Sequence, residues 1–120
     1  YYRDADGDSY GTSGTTTVSC TGAPSGYVSN TDDCCDSDNR AKKGQTAWYT
    51  GARSGCGGYD YNCASGEERR WTQLGVCQAG QMDGWRDTVP GCGSSAIWWT
   101  FTSNCALGGL NQHSVAQECH

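Results

Sequence analysis

Hydrophobic residues along this chain come in short runs divided by glycine, serine and threonine, and no stretch carries a sustained 3.6-residue apolar period. Helix is therefore not expected beyond a brief turn near Asp36–Lys43. Runs with β-branched and aromatic residues predict short strands over Thr16–Val18, Gly26–Ser29, Thr46–Thr50, Arg69–Leu74 and Ala96–Thr102. The last is the strongest: it contains Ile97-Trp98-Trp99-Thr100-Phe101, and its adjacent tryptophans face opposite sides of a sheet. Segments 11–17 (GTSGTTT) and 51–58 (GARSGCGG) read as loops. The pattern predicts short β-strands with a large irregular fraction and little helix.

Such strands bury little. Of 120 residues only 35% are hydrophobic, with one Phe and one Met, and a core that poor needs a staple. Nine cysteines supply it: Cys20, Cys34, Cys35, Cys56, Cys63, Cys77, Cys92, Cys105 and Cys119. They are spread along the chain with no CxxC pair, so they read as the disulfide framework of an exported protein rather than as zinc ligands. The odd count leaves one thiol free or bonded to another chain. The chain starts at Tyr1 without an initiator Met or signal peptide, which is expected of a secreted chain in its mature or trimmed form. No run of 18 apolar residues encodes a membrane span. The character changes near residue 70. Residues 1–69 form an acidic, Cys-rich module. Residues 70–120 form a Cys/Trp-rich β module with four cysteines, four of the five Trp and both His, and it can pack with the first as one unit.

Net charge is −5, and seven of the thirteen acids lie within the first 38 residues, a balance that speaks against nucleic acid and for bound cations. Asp4, Asp6 and Asp8 alternate in DADGDSYG, where carboxylates at loop positions 1, 3 and 5 converge on one ion if Gly7 lets the backbone turn. The carbonyl of Tyr10 takes position 7. All-oxygen ligation of this kind suits Ca2+. Position 12 is Thr15 rather than Glu and no flanking helices are predicted, so the loop is not an EF-hand. The nearest carboxylates to complete the shell belong to Asp32, Asp33, Asp36 and Asp38, which a disulfide from Cys20 to Cys34 or Cys35 would draw close. A second candidate site consists of Asp60, Asn62 and the carbonyl of Ala64, with Glu67 or Glu68 to close it.

The order of these pieces, DADGDSYG, a Cys, GYVSNTDDCCDSD, KKGQTA and GCGGYDYNCASGEE, resembles the MopE-like metal-binding motif of secreted bacterial surface proteins. That motif is loosely similar to thrombospondin type 3 calcium repeats, and the resemblance spans about residues 3–68. It implies calcium ligation by Asp4, Asp6, Asp8, the Tyr10 carbonyl and the Asp33, Asp36 and Asp38 group, and again by Asp60 and Asn62. Three departures stand out. Cys35 replaces an acid, Lys43 stands where the motif has Pro, and Ala64-Ser65-Gly66 replaces Asp-Gly. Residues 70–120 resemble the cysteine-rich tails that accompany the motif in some exported bacterial proteins.

No catalytic set emerges. His113 and His120 have no partner at a recognised catalytic spacing, GxSxG is absent, and oxidised cysteines make poor nucleophiles. The chain is not expected to be an enzyme. The many aromatics replace a missing aliphatic core, while Trp98, Trp99 and Phe101 offer a contact surface for another subunit or a sugar. The expected function is an extracellular, calcium-binding, disulfide-stabilised structural protein of a bacterial cell surface or appendage, self-assembling as a homo-oligomer, filament or coat. An adhesion module for carbohydrate or surface glycans is the alternative. A copper-sequestering surface protein is the second, and two His and one Met give it little to work with.

Overall fold

The structure, a computed structural model, describes residues 1–78 and 80–120. The chain forms two units: Tyr1–Ala47 with Gly51–Glu68 and His120, and Trp48–Thr50 with Arg69–Cys119. It is a small, disulfide-rich fold of short antiparallel strands and irregular segments.

The first unit carries β1 (Tyr2–Arg3), β2 (Thr12–Thr16) and β3 (Tyr27–Val28) in the order β2-β1-β3. β2 occupies most of the glycine–threonine stretch that reads as a loop. Its threonines tolerate extended backbone, and β1 supplies the pairing from nine or more residues away, with an irregular register between Tyr2 and Arg3. The strand predicted at Thr16–Val18 therefore overlaps β2 only at Thr16, whereas β3 lies inside Gly26–Ser29. Gly11 is buried at the entrance to β2, because a Cβ there would stand 2.8 Å from the Asn30 carbonyl, Tyr2 Cβ and Val28 Cγ2.

Beyond the sheet, this unit is organised around Tyr61. Its ring is fully buried, its hydroxyl donates to the Gly51 carbonyl at 2.8 Å, and Ala41 and Cys35 are buried with it. Cys34–Cys63 and Cys35–Cys56 fasten the surrounding loops. No helix forms over Asp36–Lys43; turns lead to an isolated bridge between Asp33 and Lys42.

The second unit carries β4 (Gly84–Trp85), β5 (Ser95–Phe101) and β6 (Leu110–Ala116) in the order β4-β5-β6, all antiparallel. β6 reads LNQHSVA, too polar to stand out in sequence, and is a strand because β5 offers it a seven-residue ladder. The pairs Trp98–His113 and Ala96–Val115 lie on one face, Trp99–Gln112 and Phe101–Leu110 on the other. Trp98 thus packs edge-on against Trp85 and Trp71, while Trp99 meets Phe101. Trp85 is fully buried and donates from Nε1 to the Trp71 carbonyl at 2.9 Å. Buried Gln117 satisfies both Trp71 backbone groups, with Nε2 to the carbonyl at 2.6 Å and Oε1 from the amide at 3.2 Å.

The only described helix is a 3₁₀ turn, Cys105–Leu107, capped by Asn104. The segments predicted as strands at Thr46–Thr50 and Arg69–Leu74 reduce to bridges of Tyr49 and Arg69 with Cys119 and of Leu74 with Trp85. Cys77–Cys105 and Cys92–Cys119 close this unit. Cys20 bonds to neither Cys34 nor Cys35 and is an exposed free thiol, because both candidates are taken by Cys63 and Cys56.

Candidate cation centre

The loop from Asp4 to Tyr10 turns its three acids inward. Gly7 (φ 79°) and Ser9 (φ 75°) adopt left-handed backbone, so Asp4, Asp6 and Asp8 are each partly shielded while the residues between them are exposed. The loop amides then hold the carboxylates. Asp4 Oδ1 accepts from Gly7 at 2.8 Å and from Asp8 at 3.1 Å, and Asp4 Oδ2 from Ser9 at 3.1 Å. Asp6 Oδ1 accepts from the Asp8 amide at 3.2 Å, and Asp8 Oδ1 from the Tyr10 amide at 2.8 Å. Carboxylate oxygens of the three residues come within 4.8 Å of one another, the one such grouping of acidic, His or Cys ligands among the described residues.

Asp33 approaches from the other segment, outside that 4.8 Å grouping but within reach of the charges of Asp6 and Asp8. The Asp33 amide donates to the Gly11 carbonyl at 3.3 Å, and its side chain, 7% exposed, accepts from the Cys35 amide through Oδ1 at 2.6 Å. What remains is three buried carboxylate oxygens with no hydrogen-bond donor: Oδ2 of Asp6, Asp8 and Asp33. A buried carboxylate oxygen without a donor is costly, and three facing one charge neighbourhood are more so. The cost shows in the acidities. Burial pushes Asp33 up to about 6, assisted by the charges of Asp6, Asp8 and Asp36. Asp6 is raised for the same reason, burial first and the Asp8 charge next.

The cations nearby relieve this only in part. Lys42 Nζ lies 3.7 Å from Asp8 Oδ2, an ion pair too long for a hydrogen bond, and 5.6 Å from the centre of the Tyr10 ring. Asp36 is engaged elsewhere, accepting from Arg3 Nε at 2.8 Å and from the Ala5 amide at 2.5 Å. Its role is to fasten segment 32–38 to the loop, the task that sequence reading gave to a Cys20 disulfide. Asp38 does not join the acids at all. Both its oxygens are committed to Arg40, at 2.8 and 2.6 Å, and to the Ser54 amide at 2.7 Å, and the Arg40 bond leads in lowering its carboxyl to about 2. Asp32 likewise pairs outward with Lys43 at 3.0 Å.

Asn30 is a loop-holding residue that sequence reasoning missed. Its amide donates to the Ser9 carbonyl at 3.0 Å and its oxygen accepts from the Gly11 amide at 3.1 Å, tying the end of the loop down. The signal was present, since Asn30 ends GYVSN beside the acidic segment.

The residues of the second candidate site close on themselves. Asp60 Oδ1 and Asn62 Oδ1 both accept from the Ala64 amide, at 3.2 and 3.0 Å. Glu67 accepts from the Tyr59 amide at 2.9 Å, and Glu68 takes Asn62 Nδ2 at 3.4 Å and His120 Nε2 at 3.3 Å. Elsewhere, in the second unit, Trp71, Trp98, His113 and Val115 line a cavity of about 250 Å³. Against protein-family models, curated proteins and solved structures, the chain finds no match.

Four disulfides suit the chain to an oxidising environment, and no described helix is long and apolar enough to cross a membrane. The acidic loop is able to hold a metal ion.

Proposed function

We propose that this chain is an extracellular, disulfide-stabilised structural protein of a bacterial cell surface or appendage, whose N-terminal loop binds Ca2+ and whose copies assemble into a filament or coat. The observation that carries the cation is the set of buried, donor-less oxygens on Asp6, Asp8 and Asp33. Asp4, Asp6, Asp8 and Asp33 hold the ion, with the Tyr10 carbonyl as the backbone ligand, and Asp36 contributes charge from the flank. An all-oxygen set of carboxylates suits a hard cation of irregular coordination, and it offers copper none of the soft ligands it prefers. The ion neutralises charges that otherwise repel and joins the loop to segment 32–38, so its binding free energy adds to folding.

Disulfides constrain the unfolded chain and calcium steadies the folded one, which together suit a protein that works outside the cell without catalysing a reaction. Calorimetric titration of EDTA-stripped protein with CaCl2, paired with protease digestion, tests this. Saturable calcium binding and slower digestion are expected. No heat of binding and an unchanged digestion rate would remove the calcium reading. A second reading, a carbohydrate-binding module, is favoured by the cavity between Trp71 and Trp98. A glycan array on which Trp98→Ala abolishes binding would select it.

A further inference from the structure

We propose that a second copy of this chain docks on the free edge of β6, antiparallel and about a two-fold axis at Gln112, continuing the β4-β5-β6 sheet across both copies. The parity of the ladder identifies the free groups. Thr102 donates to the Gly109 carbonyl, Gln117 donates to the Ser94 carbonyl, and Gly93 donates to the Gln117 carbonyl, each at 2.9 Å. With Trp98 opposite His113 and Thr100 opposite Asn111, the backbone groups of Asn111, His113 and Val115 face β5. Those of Leu110, Gln112 and Ser114 therefore point away from the sheet, and no described residue bonds to them. Asn111, Gln112, His113 and Ser114 are all exposed. The opposite side of the sheet is closed, since β4 covers β5 and Gln73 and Gly75 bond in turn to Trp85.

Solvent-exposed edges ordinarily carry a charge, a proline or a bulge that discourages pairing. Leu110–Ala116 has no charged residue, no proline and an unbroken register. The occupant that fits is another copy. In a chain of net charge −5, this uncharged strand is where two copies meet with little like-charge repulsion. The geometry is also self-complementary. With the axis at Gln112, each Leu110 faces Ser114 of the other copy and Gln112 faces Gln112, for about six backbone hydrogen bonds.

On the Trp98 face, Asn111 then stands opposite His113. Val115, which shares its cavity with Trp71, meets Gly109, which has no side chain to collide with that ring. The strand is already capped further on, where Arg70 donates to the Glu118 carbonyl at 2.9 Å, so pairing stops short of that point. This inference rests on the self-assembly part of the reading above and is independent of the cation loop.

The test uses the full chain with Cys20→Ser, which removes any intermolecular disulfide. Sedimentation equilibrium at ~100 μM should give assembly in steps of two chains of 12.8 kDa. Gln112→Pro deletes an outward N–H while leaving the β5 ladder intact, and should weaken the contact about 100-fold by removing one donor per copy at the axis. Gln112→Lys places two ammonium groups opposite each other and should weaken it most at low salt. Amide exchange at Gln112 and Ser114 should be slow in the assembled parent and fast on dilution. If both variants assemble as the parent does, the β6 contact is wrong while self-assembly stands. A monomeric parent with fast exchange at Gln112 and Ser114 would remove both.

Discussion

Replacing Asp33 by Asn separates cation binding from mere acidity, because the substitution is expected to change sign with calcium. Asp33 is 7% exposed, its Oδ1 already accepts the Cys35 amide, and its Oδ2 has no donor. Burial, with the charges of Asp6, Asp8 and Asp36, raises its carboxyl from 3.8 to about 6. A carboxyl raised by folding keeps its proton where the unfolded chain has lost it. Its contribution to metal-free stability is therefore greatest below pH 3.8 and declines as pH climbs to about 6. The interval corresponds to about 3 kcal/mol.

Asn never ionises and keeps an oxygen for Cys35, so it removes the charge that Asp6 and Asp8 oppose. In EDTA at pH 7 the variant should be more stable than the parent by about 2 kcal/mol, or ~8 °C in melting temperature. Calcium at a hundred times its Kd should stabilise the parent by about 2.7 kcal/mol and the variant far less, since a charged ligand is gone. Thermal melts of disulfide-intact protein by near-ultraviolet circular dichroism, from pH 4 to 7 with EDTA or excess calcium, read both effects. A variant less stable than the parent in EDTA, or a parent indifferent to calcium, would refute the reasoning.

Asp38 should behave oppositely to Asp33. Its carboxyl is lowered to about 2, chiefly by Arg40, so its stabilisation is complete above pH 3.8 and is lost as pH falls through 2. Asp38→Asn should cost about 2 kcal/mol at pH 7 in urea denaturation and leave calcium affinity unchanged. Gly84→Ala should destabilise the second unit by more than about 2 kcal/mol, because a Cβ there would stand 2.5 Å from Gly75 N and Leu74 C, both backbone atoms that side-chain motion cannot relieve. The loss should appear as a lower melting temperature. Replacing Cys35 and Cys56 together by Ala should cost about 3 kcal/mol and speed proteolysis of the first unit, since the bridge closes a separation of 21 residues beside buried Tyr61.

The parts of the fold that were legible in sequence are those carried by local chemistry. A tandem of tryptophans flanked by Ile97 and Phe101 prefers extended backbone in almost any setting, so β5 was found nearly to the residue. The alternating acids were legible because Gly7 and the two-residue spacing direct three carboxylates inward within a single turn. β2 and β6 were not legible. Thr12–Thr16 and Leu110–Ala116 have no hydrophobic alternation of their own and become strands only against β1 and β5. That Asp38 stays off the ion was also beyond sequence, since its spacing matches that of Asp36 while its bonds to Arg40 and the Ser54 amide form only on folding.

By itself, the sequence determined that this chain is small, cross-linked, poor in helix, acidic at its beginning and aromatic at its end. Each of those follows from composition or from contacts between near neighbours. Only the tertiary structure decided which sulfurs meet, because a disulfide needs Cα atoms about 6 Å apart, and these four pairs are separated by 21 to 29 residues in the chain. It likewise decided which carboxylates have an oxygen to spare. An acid's availability depends on the donors that folding brings or withholds: Arg40, two residues on, and the distant Ser54 amide serve Asp38, while Asp6, Asp8 and Asp33 each kept one oxygen without a donor.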